Sequence, residues 1–375
     1  MMQSAGVPDV REYAHFADFV RAFALTERDL IFASERTWNR FIRPAALPCR
    51  VLLREKGGEP TDAEVMMLLL ARNALQAATP GGIGRVIAIG GGSVLDIAKV
   101  LSVAPEGATD VNDLYADMAN LTRRHELIAL PTTCGTGSEV TNISVIFRTA
   151  LGTKHGLVGD ALYPAHAVLV PELMAGLPYD VFASSAIDAL IHATESFLSP
   201  LATETTLAQS REAIGDILTG FRLVAEDRAA LAKEHGRFLR ASLTAGLAFG
   251  KAGCGPVHAL SFAIGGKYHV PHGESCYQYF LPVLRYYREN AAPSGRLAEL
   301  QELLRGVLDA QDAFAALAEL LERILPRKPM SAYGAVEADV AEFARSTIDN
   351  QQRLLARAYV PVDYAAALAI EAECL

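Results

Sequence analysis

Cysteine is scarce and unpatterned in this chain. Cys49, Cys134, Cys254, Cys276 and Cys374 stand far apart, and none belongs to a CxxC pair. An odd, scattered set excludes a disulfide framework and a zinc knuckle. It reads as reduced thiols in a cytoplasmic protein. No stretch reaches the roughly 18 uninterrupted apolar residues of a membrane span. The nearest, RVIAIGGGSVLDIAKVLSVA, is broken by three glycines, Asp96 and Lys99. The opening MMQSAGVPDVREYAHF lacks the basic and apolar blocks of a signal peptide. Long basic runs are missing too. With 34 Lys+Arg against 43 Asp+Glu, the net charge is −9. That argues against nucleic acid and anionic membrane as partners. A small anionic ligand needs only one or two local cations and stays compatible.

What the chain does have is apolar residues in ordered patterns. It has 375 residues, 51% hydrophobic and 21% charged, enough for two or three domains with a large core. The runs DLIFAS, CRVLLR, RVIAIG, ELIALP and AVLVP predict buried strands. DAEVMMLLLARNALQAA and VLDIAKVLSVA, lying between them, predict helices. Such alternation implies parallel βαβ units. NISVIFRTALGTKHGLVG predicts a hairpin turning at Leu151-Gly152. Past Leu177-Pro178 strand signals fade and helices are expected over 181–199, 204–225, 227–250, 275–290, 295–308, 311–325 and 335–358. The predicted architecture is an α/β domain with a parallel sheet over 1–176, followed by an all-α domain over 177–375.

Four residues suggest a metal site. Asp188 and His192 lie four apart in SSAIDALIHATESFL, on one face of a predicted helix. His258 and His272 lie in GPVHALSFAIGGKYHVPHGES, where Gly265-Gly266 are expected to turn the chain back and Pro271 breaks helix before His272. An Asp-x3-His pair alone is usually a surface pair. Joined by two more histidines it becomes an oxygen-and-imidazole donor set suited to Fe2+ or Zn2+. Glu195, one helical turn past His192, is either a supporting acceptor for a ligand or an exposed carboxylate.

Two loops suggest a phosphate-bearing ligand. Gly90, Gly91, Gly92 and Ser93 link a predicted strand to a helix, where glycines admit close backbone approach and the helix N-terminus offers free N–H groups. The pattern is neither GxGxxG nor a Walker motif. In PTTCGTGSEVTN, Thr132, Thr133, Thr136 and Ser138 supply hydroxyls after another strand. In a doubly wound sheet such loops line the ligand crevice. Asp96 is expected to orient the first loop and Lys154 to reach the ligand from the hairpin.

Together GGGSVLDIAK, LPTTCGTGSEVTN, IDALIHATES, PVHAL and VPHGE resemble the iron-containing (group III) alcohol dehydrogenases, in that family's order and over nearly the whole chain. The resemblance implies a nicotinamide dinucleotide-binding first domain. It also implies a helical second domain holding Fe2+, with Zn2+ as the alternative, through Asp188, His192, His258 and His272. It further implies a cytoplasmic homodimer, or a multiple of dimers, that acts on a small alcohol or aldehyde. Residues 257–274 and KPM…YG…DNQQRLL look most like the 4-hydroxybutyrate dehydrogenases, which interconvert 4-hydroxybutyrate and succinate semialdehyde. Phosphonate aldehydes and 3-hydroxypropanal are the runner-up substrates. A lyase or cyclase of the related dehydroquinate synthase type fits the metal segments poorly.

The chain departs from the family pattern at three positions. Phe262 stands where many members carry a further histidine, so His269, three residues before His272, is the expected proton-transfer group. Ser34, beside Glu35, stands where an acidic residue would hold the cofactor ribose, which leaves NADP open beside NAD. Cys134 stands where a small alanine is common. A substrate carboxylate would need a cationic anchor. His269 is the first candidate and Lys267 the second, with Lys251 and Arg353 more distant.

Overall fold

The computed structural model describes residues 6–375. It divides into two compact units, Met1–Leu177 and Pro178–Leu375. The first is built on a six-stranded parallel sheet of order β1-β8-β5-β4-β2-β3. Its strands are β1 (Asp9–Glu12), β2 (Asp29–Ser34), β3 (Arg50–Arg54), β4 (Arg85–Gly90), β5 (Glu126–Pro131) and β8 (His166–Leu169). Both faces of the central strands are covered, which is why their sequences are unbroken apolar runs. On β4, Val86 and Ala88 join one core with Val65, Leu69 and Leu101. The alternate residues Ile87 and Ile89 join the other core with Phe16, Phe19 and Phe23.

Helices α1 (Phe16–Phe23), α2 (Glu35–Thr37), α3 (Asp62–Ala78), α4 (Gly92–Val103) and α5 (Val111–Ala116) connect these strands. Thr61 caps α3 by accepting from Glu64 N at 3.2 Å. β6 (Ile143–Arg148) and β7 (Thr153–Val158) form an antiparallel pair closed over Gly152, whose φ is 63°. The strand β1 and helix α1 went unpredicted. β1 is four exposed residues long, too short for a periodic signal, and α1 is a single Phe stripe over two turns.

The second unit is helical throughout: α6 (Tyr179–Leu198), α7 (Glu204–Glu226), α8 (Leu231–Ala252), α9 (Pro256–Tyr268), α10 (His272–Asn290), α11 (Arg296–Leu308), α12 (Ala313–Ile324), α13 (Glu337–Asn350), α14 (Gln352–Leu355) and α15 (Tyr364–Cys374). Central α6 is buried on nearly every side and packs on α7, α8 and α10. No helix among the described residues is long and apolar enough to cross a membrane.

Three expectations need correction. Gly265 and Gly266 do not turn the chain; they lie inside α9. The reversal comes at His269, held left-handed at φ 53°, and at Pro271, which caps α10. Packing carries the helix through two glycines whose intrinsic cost is only about 1 kcal/mol each. The expected helix 335–358 breaks at Gln351 into α13 and α14. The expected helix 227–250 begins with a 3-10 turn, so that α8 starts at Leu231.

One buried carboxyl makes the stability of this unit pH-dependent. Glu371 on α15 is fully buried, and Tyr279 Oη donates to its Oε2 at 2.8 Å. Burial pushes it up to about 8 despite that hydrogen bond. The unfolded chain releases this proton near pH 4.3, whereas the folded chain keeps it to about 8. The folded state therefore binds the extra proton, and stability falls as pH rises through that window, by at most about 1.4 kcal/mol per unit. Glu371→Gln should flatten the difference. Unfolding midpoints measured from pH 5 to 8.5 that stay parallel for wild type and variant would refute this.

Candidate metal centre and cofactor loops

In the second unit, helical spacing places Asp188 and His192 on one face of α6. The reversal after α9 brings His258 and His272 to that face. His258 Nε2 lies 3.0 Å from His192 Nε2 and 3.7 Å from Asp188 Oδ1. His272 Nε2 is 3.8 Å from the same oxygen. All four donor atoms lie within 4.8 Å of one another. Donors about 2.1 Å from a shared cation stand roughly 3–3.5 Å apart, so the set is close to coordination spacing. Two imidazole nitrogens facing each other beside a buried carboxylate form a donor set that a divalent cation fits.

Neighbouring groups hold the rings in place. Glu195, buried, accepts from His258 Nδ1 at 2.6 Å, Gly255 N at 2.8 Å and Val257 N at 2.7 Å. One carboxylate thus caps the N-terminus of α9 and fixes the His258 tautomer, leaving Nε2 toward the cluster. Its three donors make it a support rather than a ligand. His192 is stacked between Phe249, at 4.2 Å between ring centroids, and His258, at 4.6 Å. Cys276 Sγ lies 3.8 Å from the His272 ring nitrogens and 3.4 Å from Ser261 Oγ. The Phe262 and His272 ring centroids lie 6.4 Å apart.

Two glycines permit this assembly. A Cβ on Gly255 would stand 3.1 Å from Glu195 Oε1. A Cβ on Gly273 would stand 2.4 Å from Ser184 O, one turn before Asp188 on α6. No periodic or spacing pattern in the sequence marks Phe249, Cys276, Gly255 or Gly273 for these roles. The glycine directly after His272 was the one available signal.

The expected substrate residues fare differently. His269 is exposed at the left-handed end of α9. Lys267 Nζ lies 2.7 Å from both Asp339 Oδ1 and Glu342 Oε2, so its charge is already answered by two carboxylates. It is a poor anchor for a third, which corrects the expectation. Lys251 and Arg353 are exposed.

In the first unit, sheet register sets the two loops side by side. Gly90 pairs with Pro131, and Thr132 N donates to Gly90 O at 3.0 Å. Gly91 caps α4 without any side-chain acceptor. The loops pack closely: a Cβ on Gly91 would stand 3.1 Å from Thr133 Cγ2, and one on Gly92 2.5 Å from Thr136 Cγ2. Ser93 Oγ donates to Gly58 O at 3.1 Å. Ser34, at the end of β2, accepts from Thr37 N at 3.3 Å as the cap of α2. The Lys154 ammonium is paired with Glu59. Cys134 is buried.

Asp96 accepts from Ser138 Oγ at 2.6 Å and Val145 N at 2.8 Å. Burial raises its carboxyl above the usual range, opposed by Lys99. The Lys99 ammonium, on a helix where a lysine is ordinarily solvated, is fully buried. Burial pulls it down to about 8, with Asp96 and Glu139 opposing. Glu139, also buried, is pushed up to about 7.

Comparison with known proteins covers both units. The iron-containing alcohol dehydrogenase profile matches residues 13–171, and the C-terminal profile of the Fe-containing alcohol dehydrogenase family matches 182–370. The chain is 40% identical over 363 residues to the 4-hydroxybutyrate dehydrogenase of Clostridium kluyveri, spanning 94% of each chain. It is 32% identical over 290 residues to the sulfoacetaldehyde reductase of Bilophila wadsworthia, covering 72% of this chain and 73% of that one. In fold it is similar to a 1,3-propanediol oxidoreductase, with a TM-score of 0.83 at 24% identity and full coverage of both chains. It is equally similar to the NAD+ complex of sulfoacetaldehyde reductase from Bifidobacterium kashiwanohense, with a TM-score of 0.83 at 24% identity, covering 100% of this chain and 99% of that one. With both profiles matched in order and a full-length relative at 40% identity, the chain belongs to the iron-containing alcohol dehydrogenase family.

Proposed function

We propose that this protein is a nicotinamide-dependent dehydrogenase interconverting 4-hydroxybutyrate and succinate semialdehyde. The observation that carries this reading is the 40% identity to a 4-hydroxybutyrate dehydrogenase along 94% of both chains. Asp188, His192, His258 and His272 would hold the divalent cation, Fe2+ ahead of Zn2+. When bound, such a cation supplies Lewis acidity toward a carbonyl or alcohol oxygen. Glu195 keeps His258 in the tautomer that a ligand needs, and Phe249 holds the plane of His192. The loops Gly90–Ser93 and Thr132–Ser138 would take the dinucleotide, with Asp96 orienting them, Ser34 toward the ribose and Lys154 on the hairpin side. Ser34 itself carries no charge to repel a 2′-phosphate, while the adjacent Glu35 is an exposed carboxylate. NAD and NADP are both admissible on this ground.

His269 is the group we assign to the substrate, as carboxylate anchor or proton donor. It is exposed, follows the last turn of α9 and precedes His272 by three residues. We also read the protein as cytoplasmic, consistent with five cysteines outside any disulfide, and as a homodimer or a multiple of dimers. The relative that reduces sulfoacetaldehyde favours a second reading, in which the substrate is another small anionic aldehyde.

One assay addresses both readings. Metal content is measured, and NADH consumption is compared for succinate semialdehyde, sulfoacetaldehyde, 3-hydroxypropanal and uncharged butanal. Succinate semialdehyde is expected to give the highest kcat/KM. In His269→Ala, an anchoring role predicts a selective loss on the charged aldehydes, about 30-fold or more for roughly 2 kcal/mol. Equal losses on butanal would assign His269 to proton transfer. Unchanged kinetics on all four would remove it from the site.

A further inference from the structure

A fully buried ammonium ties the second glycine-bearing loop to the helix that follows the first. Lys99 lies on α4, two turns beyond Gly92. Its Nζ donates to Ser138 Oγ at 2.7 Å, Thr141 Oγ1 at 3.0 Å and Ile143 O at 2.7 Å. One turn earlier, Asp96 Oδ1 lies 3.7 Å from the same nitrogen and accepts from Ser138 Oγ. Ser138 Oγ therefore accepts from the lysine and donates to the aspartate. The same turn of α4 also takes Val145 N on Asp96 Oδ2 at 2.8 Å and Ser144 Oγ on Asp96 O at 2.8 Å. A single helical turn thus fixes the whole segment 138–145, from the end of the loop into β6.

A buried ion pair is a poor device for stability alone, since apolar residues of similar volume commonly do as well or better. Its particular property is that it specifies one arrangement, because displacing any acceptor strands a buried charge. Here the arrangement specified is the seat of the second loop against the first. Glu139, also buried in this segment, adds a carboxylate that favours keeping Lys99 charged.

We propose that Lys99, together with Asp96, is a positioning residue for dinucleotide binding: it clamps Thr132–Ser138 against Gly90–Ser93 so that both loops present their hydroxyl and N–H groups to one ligand. This rests on the reading that those loops hold the cofactor. Lys99 itself touches neither cofactor nor substrate. Its loss therefore acts on binding rather than on the chemical step.

The test uses the intact, metal-loaded protein and NADH as probe. In Lys99→Met, the NADH dissociation constant measured by nicotinamide fluorescence is expected to rise about tenfold or more, the scale of one stranded buried hydrogen-bonding group. Metal content, and kcat at saturating NADH, should stay close to wild type. Thr141→Val removes one acceptor while sparing the ion pair, and should weaken NADH binding about threefold. A folded Lys99→Met protein with wild-type affinity, or one losing kcat and affinity alike, overturns the clamp. If Lys99→Met does not fold, wild-type affinity in Thr141→Val overturns it. Failure of the wild-type protein to bind any nicotinamide dinucleotide would instead remove the loop reading on which the clamp depends.

Discussion

His258→Ala is expected to lose the divalent metal and most of the dehydrogenase activity while the helical unit stays folded. Two effects combine. The substitution deletes one of four donors that already stand near coordination spacing. It also leaves the buried Glu195 carboxylate without the imidazole donor 2.6 Å away, though Gly255 N and Val257 N still satisfy it. That remaining capping is the reason to expect α9 to survive. Loss of a partner behind a ligand commonly costs 10–100-fold in metal affinity or activity, so loss of a ligand should exceed about 100-fold. Glu195→Gln should fall in the lower range, because the amide still accepts from the helix N-terminus but no longer carries charge toward His258. Elemental analysis, far-UV circular dichroism and turnover of succinate semialdehyde decide the matter together. An active, metal-free His258→Ala protein would sink the assignment.

Gly91→Val is expected to raise the cofactor KM sharply, about tenfold or more, with the metal retained. A side chain at this position obstructs backbone approach to a pyrophosphate at the start of α4. A second cause adds to this: the new Cβ would stand 3.1 Å from Thr133 Cγ2 and 3.3 Å from Thr133 Oγ1. The branched side chain would push the second loop off the first. The backbone at Gly91, with φ −75° and ψ −178°, suits any residue, so the effect arises from space and not from strain. Unchanged NADH affinity in a folded Gly91→Val protein would separate these loops from the cofactor.

The contrast between these two sites shows how far sequence carries. An Asp and a His four residues apart meet on any helix, so the Asp188–His192 half of the metal set follows from spacing. The apolar runs of β2, β4 and β5 are legible for a similar reason: strands covered on both faces cannot hide their composition. His258 and His272 are different. Their chemistry and the family resemblance point to a site, but Gly265-Gly266 is the strongest local turn signal between them, whereas the chain turns at His269 and Pro271.

Local propensity determined which segments could be strand or helix, where the break between α/β and all-helical patterns falls, and which residue types could bind metal or phosphate. Tertiary packing decided what those residues meet. Glu195 was legible only as a carboxylate one turn past His192; the fold spends it on the N-terminus of α9 and on His258. Lys267 had the charge of a substrate anchor, and α13 supplied two carboxylates that claim it. Lys99 had no signal at all, since a lysine on a predicted helix is ordinarily solvated. Only the packing of β6 and the second loop over α4 buries it. Spacing along the chain specifies neighbours within an element, because helix and strand geometry repeat. Neighbours between elements depend on packing and chain reversal, which no periodic pattern encodes.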